Sequence, residues 1–252
     1  MPSYKGIVPG TFTMGNVVCG FFAILSAFEG NVTTACWFIV LAGFLDALDG
    51  RVARLSGGAS QFGIELDSLA DFLSFGAAPA ILVYAIKLQT LGKWEWVISI
   101  VYMMAAAYRL ARFNLLADTE EKKDFLGLPV PAAALALVSF IIFSYHVWGS
   151  LRYDELLVSM IILFAFLMVS QVQYDTFPER FDTPQSRLKL AVLLAAAVVV
   201  IFRPRLLLFP MLAAYILFGM TRELYRLFSA GVGRVTGRPN RQRQPGEDSG
   251  DE

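Results

Sequence analysis

Charge is the first shortage. Asp, Glu, Lys and Arg supply 17% of the 252 residues, against roughly 25% in an ordinary soluble domain. The formal net charge is zero, so no basic field points to nucleic acid, and none is expected as a partner. There are two cysteines, Cys19 and Cys36, both in apolar runs and without metal-type spacing. They are read as small packing residues, which leaves out a disulfide framework and a thiolate metal centre. The one histidine, His146, sits beside Trp148 near a helix end, where an interfacial role fits better than catalysis. No small-residue cleavage site follows the first apolar run, so the chain is expected to be polytopic rather than exported.

What is abundant is apolar. Hydrophobic residues make up 56% of the chain and the mean hydropathy is +0.58. Several runs approach the ~20 residues needed to cross a bilayer. Helices are predicted over residues 12–28, 32–53, 63–87, 95–116, 129–148, 155–172, 188–202 and 206–228. The fold class is therefore an all-α polytopic membrane protein with about eight transmembrane helices. The expected organisation is an interfacial segment over 1–11, a membrane domain over 12–229 and a disordered polar tail over 230–252. The basic part of that tail, Arg234 to Arg243, suits anionic lipid head groups. If the loops alternate from the N-terminus, one side receives 16 of the 21 basic residues. The positive-inside rule makes that side cytoplasmic, with both termini on it.

Against this background the stretch DALDGRVARLSGGASQFGIELDSLAD, residues 46–71, is out of place. Asp46 and Asp49 are one helical turn apart, as are Asp67 and Asp71. A loop of small and polar residues separates the pairs. An antiparallel hairpin centred near residue 58 sets Asp49 opposite Asp67 and Asp46 opposite Asp71. The four carboxylates would then share one depth, about 5 residues or roughly 7 Å inside the loop. Such a group must be protonated or hold cations. Hard divalent ions take oxygen ligands, and a pair of them suits displacement at phosphorus. Gly50, Ala53 and Gly63 extend the same faces and leave room for a bulky ligand. Arg54 and Ser60, at the rim, suit a phosphate or nucleotide. Carboxylates kept at membrane depth point to function by default.

The spacing D-x2-D-G-x2-A-R-x8-G-x3-D-x3-D is filled at every slot by Asp46, Asp49, Gly50, Ala53, Arg54, Gly63, Asp67 and Asp71. It resembles the signature of the CDP-alcohol phosphotransferase family. The resemblance implies a homodimeric membrane enzyme, with a six-helix core, that displaces CMP from a CDP-linked lipid using a hydroxyl nucleophile. It also implies two Mg²⁺ or Mn²⁺ ions per site, ligated by the four aspartates, with Asp71 as general base. By position, Gly50, Arg54 and Ser60 correspond to nucleotide-lipid contacts. The opening VPGTFTMGNVVCGFFAI is similar to the family's first span, which places Thr13 and Asn16 near the nucleotide pocket.

The segments DSLADFLSFGAAPA, YRLARFN (108–114), GLPVPAAA (127–134) and LMVSQVQYDTFP (167–178) resemble the integral-membrane phosphatidylserine synthase subgroup. The last of these departs from that subgroup's ending. The implied substrates are CDP-diacylglycerol and serine. Arg109 and Arg112, three apart on one predicted helix, form a cationic pair suited to the lipid phosphate or the acceptor carboxylate. Alternatives remain at this level. A more anionic acceptor, glycerol 3-phosphate or an inositol phosphate, would call for more basic residues. A cation transporter would place its carboxylates near the midplane of broken helices.

Overall fold

The computed structural model describes residues 7–55, 60–87, 94–117, 127–170 and 203–235. Among them all regular structure is helical. The helices are α1 (Ile7–Phe28), α2 (Val32–Leu55), α3 (Gln61–Asp71), α4 (Ala78–Ile86), α5 (Glu95–Ala117), α6 (Val130–Trp148), α7 (Asp154–Val169) and α8 (Pro204–Val235). Among the described residues six stretches are long and apolar enough to cross a membrane, one of them the continuous run Gln61–Ile86 that contains α3 and α4. α7 is apolar but has 16 residues. The predicted span over 188–202 lies outside the described residues, as do 1–6 and the tail from 236 onward.

Helix boundaries shift at three places. α1 begins at Ile7, inside the segment predicted to be interfacial. Pro9 permits this because an N–H in the first turn of a helix has no helical acceptor to lose. α8 continues to Val235, into the start of the predicted tail. The predicted helix over 63–87 contains a π turn at Phe72–Ala77, between α3 and α4.

α1 and α2 form a close hairpin through small residues. Ala23 and Ala27 on α1, with Ala35 and Ala42 on α2, are buried. α1 also packs on α3, the π turn and α4. α6 is the central post, touching α2, α7, α8 and the π turn. It starts with Pro129 and Pro131, where missing N–H groups cost nothing, and stops at Gly149, whose φ of 72° closes the last turn. The approach to α6 is held by Gly127 and Leu128. Gly127 has φ 84°, and a Cβ there would lie 2.4 Å from the Met168 carbonyl oxygen. The adjacent Leu128 N–H donates to Leu167 O at 3.0 Å.

These contacts fix which ends are near each other. The start of α6 meets the end of α7. Phe209, near the start of α8, packs against Phe140 and Phe143 in the second half of α6. Ser170 and Arg203 thus belong to opposite ends of the bundle. The outer faces of α1 and α2 carry exposed Phe21, Phe22, Phe28, Leu41 and Phe44, the apolar exterior expected against lipid.

Candidate active site

The site is built where α1, α2 and α3 converge. α2 carries Asp46 and Asp49 in its second half. α3 starts at Ser60, whose Oγ accepts the Gly63 N–H at 3.1 Å. This N-cap satisfies one of the donors orphaned at a helix start. It gives Ser60 a structural task at the rim where a phosphate contact was expected. A Cβ on Gly63 would stand 3.3 Å from that hydroxyl, so glycine keeps the cap tight. One turn and two turns further on, α3 presents Asp67 and Asp71.

Asp46, Asp67 and Asp71 each offer a carboxylate oxygen, and these three atoms lie within 4.8 Å of one another. The fourth aspartate lies beside this trio, close enough to act electrostatically on Asp46 and Asp67. Asp49 is 5% exposed and accepts from Thr13 Oγ1 through Oδ2, while its Oδ1 is buried without a partner. The predicted hairpin is therefore corrected in one respect. α2 and α3 scarcely touch directly, and α1 packs against both of them. α1 wins that position because its small residues allow close approach to α2, which no sequence spacing within 46–71 could register.

α1 contributes two polar side chains on one face. Thr13 holds Asp49, and Asn16, one turn on, donates from Nδ2 to Asp71 Oδ1 at 3.2 Å. Asn16 is fully buried, and its Oδ1 has no hydrogen-bond partner. Such an acceptor is unfavourable unless a ligand or ion completes it. Gly50 is exposed at the edge, and a Cβ there would meet nothing within 4 Å. Ala53 and Arg54 occupy the last turn of α2, where the side chains lie outside the described set.

From the other side α5 brings Arg109. It is buried, its guanidinium carbon 5.4 Å from the Phe113 ring centroid, and it interacts electrostatically with Asp71. Arg112 is half-buried beside it. Among the described residues no lysine or arginine forms a salt bridge with any of the four aspartates. Three further polar residues were not singled out by the sequence. Ser68 Oγ donates to Asn114 Oδ1 at 3.2 Å, tying α3 to α5. Ser74 Oγ donates to the Asn16 carbonyl oxygen at 2.9 Å, tying the π turn to α1. Their signal was present, since Ser68 and Asn114 lie inside quoted motifs, but which helix each faced was not legible.

The donor set suits a hard divalent cation. All candidate ligands are carboxylate oxygens, three converge, and a fourth oxygen on Asp49 is buried and unpartnered. That set fits Mg²⁺ or Mn²⁺ better than a soft metal.

Comparison with known proteins agrees with this chemistry. Residues 6–172 match the sequence profile described as CDP-alcohol phosphatidyltransferase. The chain is similar to the CDP-diacylglycerol–serine O-phosphatidyltransferase of Helicobacter pylori, 35% identical over 222 residues, covering 87% of this chain and 92% of the relative. The enzyme of the same name from Bacillus subtilis is 33% identical over 171 residues, covering 68% and 90%. That from Methanocaldococcus jannaschii is 39% identical over 171 residues, covering 67% and 73%.

Proposed function

We propose, for a chain that belongs to the CDP-alcohol phosphatidyltransferase family, transfer of a phosphatidyl group from CDP-diacylglycerol to L-serine, giving phosphatidylserine and CMP. The chain is a membrane-embedded transferase, and serine is favoured as acceptor because the similar proteins carry that acceptor in their names. The observation that carries the site assignment is the convergence of Asp46, Asp67 and Asp71 beside the Asn16–Asp71 hydrogen bond.

Asp46, Asp49, Asp67 and Asp71 would hold two Mg²⁺ or Mn²⁺ ions. When bound, these neutralise diphosphate charge and ease the departure of CMP. The chain's own residues do the rest. The serine hydroxyl oxygen attacks the phosphorus bearing diacylglycerol, the bond from that phosphorus to CMP breaks, and the hydroxyl proton passes to Asp71. Asn16 occupies Asp71 Oδ1, which leaves Oδ2 for that proton. Thr13 orients Asp49. Arg109 supplies the positive charge beside Asp71 that an acceptor carboxylate or lipid phosphate needs. Gly50, Gly63, Ala53, Arg54 and Ser60 form the rim over which the nucleotide lies. The bias of basic residues favours this rim at the cytoplasmic face of the cell membrane, with the acyl chains in lipid. The reading includes a homodimer, checked by cross-linking in native membranes.

The decisive experiment is CMP release by purified protein from CDP-diacylglycerol with a panel of alcohols. Serine is expected to support turnover. Release with glycerol 3-phosphate and none with serine would overturn the acceptor assignment.

A further inference from the structure

The π turn begins at the residue after Asp71, and its hydrogen bonds explain how it persists. The Ala78 N–H reaches back to Leu73 O, five residues, where an α-helix would bond Ser74. Pro79 follows immediately and has no N–H. In an α pattern position 79 would donate to the Phe75 carbonyl, and in a π pattern to that of Ser74. It can do neither. Phe75 is fully buried, and its carbonyl lacks the donor that position 79 supplies in an α pattern. Tyr102 of α5, also fully buried, donates its hydroxyl to Phe75 O at 3.2 Å. The bond gives the buried hydroxyl an acceptor and the Phe75 carbonyl a donor from α5.

The turn is clamped from the opposite side by α1. Ser74 Oγ donates to Asn16 O, and Gly20 makes the approach possible, since a Cβ there would lie 2.3 Å from Ser74 Oγ and 3.0 Å from its Cα. Asn16 is the residue whose side chain holds Asp71. The register between α3 and α4 therefore has a direct consequence for the carboxylates. At ~3.6 residues per turn, one residue gained or lost in the turn swings α3 by about 100° relative to α4. α4 is fixed by its packing on α1 and α5, so a relaxed turn would carry Asp67 and Asp71 away from Asp46.

We propose that Tyr102 is a positioning residue for the transfer: by donating to the Phe75 carbonyl it holds the π turn, and the π turn sets the face on which Asp67 and Asp71 meet Asp46. This inference rests on the aspartate site described above.

The test uses full-length protein in detergent micelles, with helicity and thermal midpoint as folding controls. Tyr102→Phe is expected to lower kcat by about 10- to 100-fold, the scale of a small misplacement of reacting groups. KM for CDP-diacylglycerol should stay within about twofold, since the rim is untouched. Binding of Mn²⁺ alone, followed by electron paramagnetic resonance, should weaken. Adding Pro79→Ala returns an N–H at position 79, and this double variant should recover kcat and Mn²⁺ binding to within about threefold of wild type. Wild-type kcat and Mn²⁺ affinity in Tyr102→Phe would overturn the inference, as would failure of Pro79→Ala to rescue it. If Tyr102→Phe does not fold, the double variant decides: folded and active supports the role, unfolded rejects it. Asp71→Asn, assayed alongside, separates the two readings. Near wild-type turnover by Asp71→Asn indicts the site, whereas an inactive Asp71→Asn beside a fully active Tyr102→Phe indicts only the positioning role.

Discussion

The two ends of the bundle treat charge in opposite ways. At one end Asp46, Asp49, Asp67 and Asp71 crowd together, two of them buried, with hydrogen bonds from Thr13 and Asn16 and with Arg109 on the far side. At the other end Lys87, after α4, meets Asp154, at the start of α7, in an ion pair near the surface. Aromatic rings gather there, with Trp148 edge-on to both Phe143 and Tyr153, as at a membrane–water interface. The second arrangement is what a chain does with charges it merely has to accommodate. The first does not neutralise itself, and a fold tolerates that only where a ligand completes it.

The contrast is sharpest when the aspartates are removed. Asp46→Asn or Asp67→Asn should abolish serine-dependent CMP release, a loss of roughly 10³-fold or more if several kcal/mol of transition-state stabilisation depends on the bound ions. The same variants should unfold at a higher temperature than wild type in chelator, because a repelling carboxylate has gone. Activity and stability moving in opposite directions would mark the cluster as functional. Chelation of the wild type should likewise stop turnover, and Mg²⁺ or Mn²⁺ should restore it. Full activity in excess chelator would remove the metal reading.

Asp71→Asn should be nearly as damaging but in a different way. Losing a general base typically costs about 10²–10⁴-fold in rate. The isosteric amide still accepts the Asn16 N–H through oxygen, so KM for CDP-diacylglycerol should change little while kcat falls. A proportionate rise in KM with kcat preserved would show that Asp71 binds substrate rather than taking its proton.

How much of this was legible differs along the chain. The aspartates were readable because spacings of three and four put each pair on one face, and because carboxylates stand out in a greasy run. Arg109 was readable for the same reason. α1's packing against both α2 and α3 was not, since it follows from Ala and Gly packing at long range and leaves no periodic trace. Nor was the π turn, which is hidden in the largely apolar FLSFGAAPAILV. Its one signal was Pro79 within a run too long and apolar to end there. Ser60 carries two roles of which the sequence showed one. Its polar character was read as ligand contact, and the position immediately before a helix gives it a capping role as well.

The α1 contacts supply the next smaller effect. Thr13→Val keeps the shape and removes the donor to Asp49, and Asn16→Ala removes the donor to Asp71. Partners that orient ligating carboxylates are typically worth about 10–100-fold in metal affinity or activity. Both variants should fall in that range, with a raised Mg²⁺ requirement. If either matched Asp67→Asn in severity, α1 would be supplying a ligand rather than orienting one.

The smallest effect belongs to the Lys87–Asp154 pair. The hydrogen bond from Lys87 holds the Asp154 carboxyl below its ordinary value of 3.8. A depressed carboxyl stabilises the fold above its unfolded value and loses that contribution as pH falls through the folded one. The pair is solvent-screened, so little stability is at stake and salt should reduce it further. Asp154→Asn should leave serine-dependent turnover within about twofold of wild type, as for substitutions remote from any buried feature. Its thermal midpoint should sit slightly below wild type near neutral pH. The gap should narrow as the pH falls below 3.8 and close once it is below the depressed folded value, and it should shrink in high salt. Scanning the midpoints of both proteins against pH checks this. A large loss of CMP release in Asp154→Asn would break the contrast between the two ends, because charge at the quiet end would then be coupled to chemistry at the other.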